Sequence, residues 1–171
     1  MHLGNEILSP IDNCKSKNKL FFLNGPGGSG KTFLYKLFIA KLHVNERNVI
    51  ATASTGIAAN SLIGGRTYHS QFKLPVPLLN DSVSLMRLTS KDADLIRKAD
   101  LIIIDEATMA TGDALSAIDK LLRDITGNND KLFGGKIILL GGDFRQTLPV
   151  VPHGNKSDIL EKNIKILLFV E

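Results

Sequence analysis

The stretch LFFLNGPGGSGKT, residues 20–32, sets an apolar run, a glycine-rich turn and a Lys-Thr pair end to end. The run Leu20–Asn24 is apolar at successive positions, which suits a parallel strand buried on both faces. The next eight residues, Gly25, Pro26, Gly27, Gly28, Ser29, Gly30, Lys31 and Thr32, fit the pattern G-x-x-x-x-G-K-[ST]. Over residues 32–44, Phe33, Leu34, Leu37, Phe38 and Leu42 recur at helical spacing. Strand, glycine loop and helix in this order separate a phosphate-binding loop from an ordinary glycine-rich turn. The glycines let the backbone curl until several N–H groups point at phosphate oxygens, and the start of the helix adds positive potential. Lys31 is then expected to reach the β- and γ-phosphates of ATP, and the Thr32 hydroxyl to hold Mg²⁺.

Downstream, the same alternation repeats. Residues 48–53 read as a second strand, and residues 54–59 open a helix. Residues 63–90 contain Gly64, Gly65, Pro75 and Pro77, which predict loop with short pieces. A helix over 91–98 leads into Leu101-Ile102-Ile103-Ile104, a run typical of a central parallel strand. Leu115, Ile118, Leu121 and Leu122 mark one face of a helix over 112–125, and a Gly134-Gly135 turn precedes a strand over 136–140. Strands alternating with helices predict right-handed crossovers and an α/β fold, a doubly wound, mostly parallel sheet that binds its ligand at the strand carboxyl ends. Residues 1–19 read as a polar leader, 20–160 as one domain and 161–171 as a truncated tail. The apolar ending IKILLFVE, residues 164–171, is open to two readings, a next strand or the remnant of a truncated gene.

Three further clusters follow strands. Asp105 and Glu106 close the LIII run; beside a phosphate loop, Asp105 is placed to hold the Mg²⁺ shell and Glu106 to orient the attacking water. Without that loop, a pair capping the next helix near Ala107 would be the simpler reading. Gly141-Gly142-Asp143-Phe144-Arg145-Gln146 follows the strand ending at Leu140, within reach of a γ-phosphate. Gln146 can sense that phosphate without titrating, while Asp143 and Arg145 either pair with each other or act directly. Residues 53–59 (ASTGIAA) and 64–70 (GGRTYHS) combine small residues, hydroxyls, a histidine and an aromatic. They suit either an ordinary surface loop or one that tracks a sugar–phosphate backbone.

Composition narrows the class. The chain has 171 residues, 43% hydrophobic and 22% charged, with 21 Lys and Arg against 17 Asp and Glu. That excess tolerates a phosphate-bearing partner without requiring one. The single cysteine, Cys14, excludes an intrachain disulfide and a cysteine metal cluster. Residues 1–10 lack the order of a secretory signal, and no apolar run approaches the roughly 20 residues that span a bilayer. A soluble protein is expected; composition leaves nuclear, mitochondrial and cytosolic addresses open, and the nucleus is the expected one with the mitochondrion as the alternative.

Together, GPGGSGKT, ASTGIAA, GGRTYHS and GGDFRQTLPV resemble the Pif-type (petite integration frequency) DNA helicases of superfamily 1, the Helitron-like branch in particular. The resemblance spans about residues 20–160 and rests most on GGDFRQTLPV. It implies a RecA-like first motor domain of a P-loop NTPase that binds ATP and Mg²⁺ and moves 5′ to 3′ on single-stranded DNA. It implies catalytic roles for Lys31, Glu106 and Gln146, metal binding at Thr32 and Asp105, and DNA contact at Thr55, Gly56, Thr67, His69 and Ser70. Repair, recombination and telomere roles are implied in the same way. The family's adenine-reading Gln upstream of the loop has no counterpart, since the first Gln is Gln71. The resemblance further implies a second RecA-like domain supplying arginines, so residues 1–171 alone are expected to be a weak ATPase. Two other readings stay open: an ATP- and DNA-binding module without turnover, and a different P-loop ATPase of DNA transposition or loading.

Overall fold

A computed structural model describes residues 19–79, 81–143 and 145. It contains the expected parallel sheet. The strands are β1 (Leu20–Asn24), β2 (Val49–Ala53), β3 (Arg66–Thr67), β4 (Leu101–Asp105) and β5 (Ile138–Gly142), in the order β1-β5-β4-β2-β3, every pair parallel. The helices are α1 (Lys31–Val44), α2 (Gly56–Asn60), α3 (Tyr68–Gln71), α4 (Lys91–Lys98) and α5 (Gly112–Thr126).

The isoleucine run explains why the sheet is covered on both faces. Successive strand residues point to opposite sides, so Leu101 and Ile103 pack with Tyr35, Phe38, Ile39 and Leu42 of α1. Ile102 and Ile104 pack with Ile96 of α4 and Leu115, Ile118 and Leu122 of α5. All five residues of β4 are buried, as a strand between two helical layers requires. Helix starts are fixed by hydroxyl caps: Thr55, Thr67, Ser90 and Thr111 each accept a hydrogen bond from an N–H in the first turn that follows. α5 stops at Gly127, whose φ of 68° suits a residue without a Cβ.

Several boundaries differ from the sequence reading. The helix expected from residue 54 begins at Gly56, because Thr55 is spent as its cap. The segment read as loop holds β3 and α3: Arg66 and Thr67 pair with Thr52 and Ala53, and Thr67 caps α3. The helix expected near Ala107 is a single 3₁₀ turn, Ala107–Met109. The last strand lies two residues further on than the expected 136–140. Lys136 still belongs to the preceding turn, with its N–H on the Phe133 carbonyl and its ammonium on the Ala99 carbonyl at 2.9 Å. At the other end the strand takes in Gly141 and Gly142.

Those two glycines are sites of close approach. A Cβ built on Gly141 would lie 1.6 Å from Tyr35 Oη, and one on Gly142 would lie 2.7 Å from Thr108 Oγ1. The absent side chains let α1 and the 3₁₀ turn close onto the end of β5. The leader assigned to 1–19, apart from Lys19, and the tail assigned to 161–171 lie outside the described residues. The Lys19 carbonyl accepts the Ile138 N–H at 2.7 Å, at the start of the β1–β5 pairing. Among the described residues no helix is long and apolar enough to cross a membrane.

Gly141→Ala should therefore cost about 3 kcal/mol of stability, the range for forcing atoms into a filled site. In urea denaturation the double variant with Tyr35→Phe should regain part of that loss, because the nearest clashing atom is gone. Additive losses in the two variants would show that the contact does not limit the site.

Candidate active site

The carboxyl ends of β1, β5 and β4 lie side by side, with Asn24 opposite Gly142 and Ile104 opposite Leu140. The loop between β1 and α1 folds over that edge. Its first N–H, at Gly25, donates to the Gly142 carbonyl at 3.1 Å, and Ser29 N–H closes back on the Pro26 carbonyl at 3.2 Å. Gly25 is buried, and a Cβ there would meet Ser29 Oγ at 2.6 Å. Gly28 and Gly30 have φ of 76° and 88°, with open space where side chains would stand. This left-handed backbone is what glycine permits at little cost, and it leaves a concave, unobstructed bed for an anion.

Residues 27–32 share one cleft of about 400 Å³ with Asp105, Glu106, Thr108, Met109, Gly142 and Asp143. The sequence-derived set Lys31, Thr32, Asp105 and Glu106 is thus brought together. The Lys31 ammonium donates to the carbonyls of Gly25 and Pro26, the latter at 3.1 Å, so it rests on the loop itself. Asp105 is 5% exposed and accepts the Glu106 N–H at 2.9 Å. Glu106 has φ 53° and ψ 35° and makes no side-chain cap bond to the turn that follows, which removes the simple capping alternative. One of its carboxylate oxygens accepts the Thr55 hydroxyl at 3.1 Å.

The chemistry of these donors fits a phosphate and a hard cation. Backbone N–H groups and an ammonium suit phosphate oxygens, and the Thr32 hydroxyl with the Asp105 carboxylate supplies oxygen ligands beside them. Among the described residues no group of three or more His, Cys, Asp or Glu could hold a metal alone. An oxygen-ligated ion here would share its shell with phosphates and water.

Of the remaining residues, Gln146 lies outside the described ones. Asp143 is buried, and its carboxylate accepts the Arg145 backbone N–H at 2.9 Å. Of the two readings left open for this pair, the described contact is one made by the Arg145 main chain. Thr55, Gly56, Thr67, His69 and Ser70 follow the adjacent ends of β2 and β3, where Ala53 pairs with Thr67, on the same edge of the sheet. Thr67 Oγ1 accepts the Ser70 N–H at 3.3 Å, Gly56 and Ser70 are exposed, and His69 lies 4.7 Å from Tyr68 between ring centroids.

Sequence reasoning missed Thr108, Met109 and Tyr35. The first two follow the acidic pair directly, and that adjacency was a usable signal. Tyr35 sits one helical turn after Lys31 on the apolar face of α1. Its buried hydroxyl approaches Asp105 without meeting hydrogen-bond geometry.

The chain is similar to known proteins over most of its length. The model of the PIF1-like helicase family matches residues 5–166. The ATP-dependent DNA helicase Pif1 of Bdellovibrio bacteriovorus is 37% identical, covering 92% of this chain and 35% of its own length. The ATP-dependent DNA helicase PIF1 of Trypanosoma brucei brucei is 34% identical, covering 96% of this chain and 17% of its own. Among solved structures, Pif1 helicase from Bacteroides in complex with ADP-AlF3 and single-stranded DNA superposes with a TM-score of 0.71 at 32% identity, over 94% of this chain and 37% of that one. The chain therefore spans about a third or less of the length of these relatives.

The buried phenols give the site's surroundings a pH signature. Both tyrosines of the chain are shifted above the ordinary value of 10.0, Tyr35 by burial and then by the Asp105 carboxylate, Tyr68 by burial. Above pH 10 the folded state keeps protons that the unfolded chain releases, so the stability present below that pH declines as pH rises. Denaturation midpoints measured at stepped alkaline pH should fall, and Tyr35→Phe should flatten the fall. An unchanged slope in that variant would contradict the burial of Tyr35.

Proposed function

The chain belongs to the PIF1-like helicase family, and on that premise we propose that it is the ATP-binding and ATP-hydrolysing motor domain of a 5′-to-3′ DNA helicase acting on single-stranded DNA. The observation that carries this reading is the meeting of Lys31, Thr32, Asp105 and Glu106 in one cleft at the strand ends. The relative solved with ADP-AlF3 and single-stranded DNA supports the choice of ligands.

In this reading, residues 25–32 cradle the phosphates through backbone N–H groups, and Lys31 leaves the Gly25 and Pro26 carbonyls for the β- and γ-phosphates. Thr32 and Asp105 hold Mg²⁺, which when bound neutralises developing charge on the phosphates. Glu106 orients the attacking water, and Gln146 senses the γ-phosphate. Thr55, Gly56, Thr67, His69 and Ser70 contact the sugar–phosphate backbone with little base reading. Among the described residues lining the cleft, Lys31 is the only cation. The transition state accordingly calls for an arginine from elsewhere, which we assign to a second RecA-like domain of the whole protein. Roles in DNA repair, recombination and telomere maintenance, and a nuclear or mitochondrial address, are the finer part of the proposal.

The reading is tested by ATP turnover of the whole protein with and without single-stranded DNA. Stimulation supports the motor. Binding without turnover would indicate a passive module, and indifference to DNA a different ATPase. Lys31→Ala should weaken ATP affinity by about 10-fold or more, the loss of one charge-assisted contact. Glu106→Gln should keep Mg-ATP binding while lowering hydrolysis by about 10²–10⁴. Calorimetry showing equal affinity for Lys31→Ala, or wild-type turnover by Glu106→Gln, would refute these assignments.

A further inference from the structure

Glu106 is held from two sides. Its backbone is pinned: its N–H donates to Asp105 Oδ1 at 2.9 Å, its carbonyl accepts the Ser54 hydroxyl, and Ser54 N–H reaches the Asp105 carbonyl at 3.2 Å. With φ and ψ fixed in the left-handed region, the freedom left to Glu106 is in its side chain. That side chain is engaged by Thr55, whose hydroxyl lies 3.1 Å from Oε2. The same Thr55 oxygen accepts the Ala58 N–H at 3.2 Å.

A hydroxyl has one proton to donate. With that proton given to Glu106 and the Ala58 N–H on one of the oxygen's two lone pairs, the Thr55 hydroxyl has no proton left for a second acceptor. Thr55 also follows the end of β2, beside exposed Gly56 on the edge proposed for the nucleic-acid backbone. A phosphate oxygen arriving there competes with Glu106 for that proton. We propose that Thr55 is a positioning residue that couples the two sites: its hydroxyl tethers Glu106 toward α2 when no single strand is bound, and transfers its hydrogen bond to a DNA phosphate when one is. The transfer frees the carboxylate to orient water in the phosphate cleft. This inference rests on the function proposed above and adds the residue through which DNA reaches the ATP site.

Single-turnover hydrolysis of Mg-ATP by the full chain, with and without an oligo-dT strand, tests the coupling. Thr55→Val cannot donate, so its DNA-free rate should rise about 10-fold, as for loss of one hydrogen bond to a charged group. Its ATP affinity should be unchanged, and its ratio of DNA-stimulated to DNA-free rate should fall toward one. Thr55→Asp keeps an acceptor for the Ala58 N–H, so the cap survives, and it should give the same rise by repelling Glu106. Thr55→Ser restores the donor and should restore the low DNA-free rate. If both Thr55→Val and Thr55→Asp, folded by circular dichroism, hydrolyse ATP without DNA at or below the wild-type rate, the coupling is overturned while the motor reading stands. If the wild-type chain shows no stimulation by oligo-dT, the coupling is overturned, while the motor reading, which places the transition-state arginine in a second domain, is judged on turnover by the whole protein.

Discussion

The hydrogen bond from the Gly25 N–H to the Gly142 carbonyl, 3.1 Å long, holds the loop and the central strands in one frame. It joins the first residue of the glycine-rich loop to the last residue of β5, the strand between β1 and the acidic strand. Around it the two glycines that end β5 admit Tyr35 on one side and Thr108 on the other. If either carried a side chain, α1 or the 3₁₀ turn would have to move outward. The loop would then separate from Asp105 and Glu106. The cleft thus depends on backbone approaching backbone, which only the absence of Cβ atoms allows.

The hydroxyl residues at the strand ends show a second economy. A cap such as Thr55 or Thr67 contributes on the order of 1 kcal/mol to its helix by satisfying an N–H that would otherwise lack a partner. Thr55 uses its acceptor side for this and keeps its proton for Glu106. Local folding and site geometry therefore draw on different halves of one functional group. Thr67 does the capping alone among the bonds seen, so identical residues in neighbouring turns stand in different relations to the site.

Burial around the cleft is arranged so that polar groups stay close to a partner or to the opening. Asp105 is nearly enclosed but accepts the next residue's N–H and also faces the cleft. Tyr35 is the exception, a buried hydroxyl without a hydrogen-bond partner. Its phenol stays protonated because burial and the nearby carboxylate both oppose its anion. The position packs an aromatic ring against the glycine of β5, and the stranded hydroxyl comes with the ring.

Local pattern was enough to find the sheet, the glycine loop and the acidic pair. Each is written in contiguous residues whose constraint is short-range: apolar runs for β1 and β4, glycines for a left-handed turn, and a Lys-Thr pair that begins a helix. The same locality misplaced β5, because Gly141 and Gly142 look like a turn until Tyr35 and Thr108, distant in sequence, are seen to fill their space. It also hid β3 and α3, whose short spans are held by pairing to β2 and by one cap rather than by any periodicity. The Thr55–Glu106 contact joins residues 51 positions apart, and no spacing rule reaches that far. Sequence by itself determined which side chains are available and the order of the longer strands and helices. Tertiary structure alone decided which strand ends meet and which hydroxyl faces which carboxylate, because those depend on strand order and close packing between segments that no local signal relates.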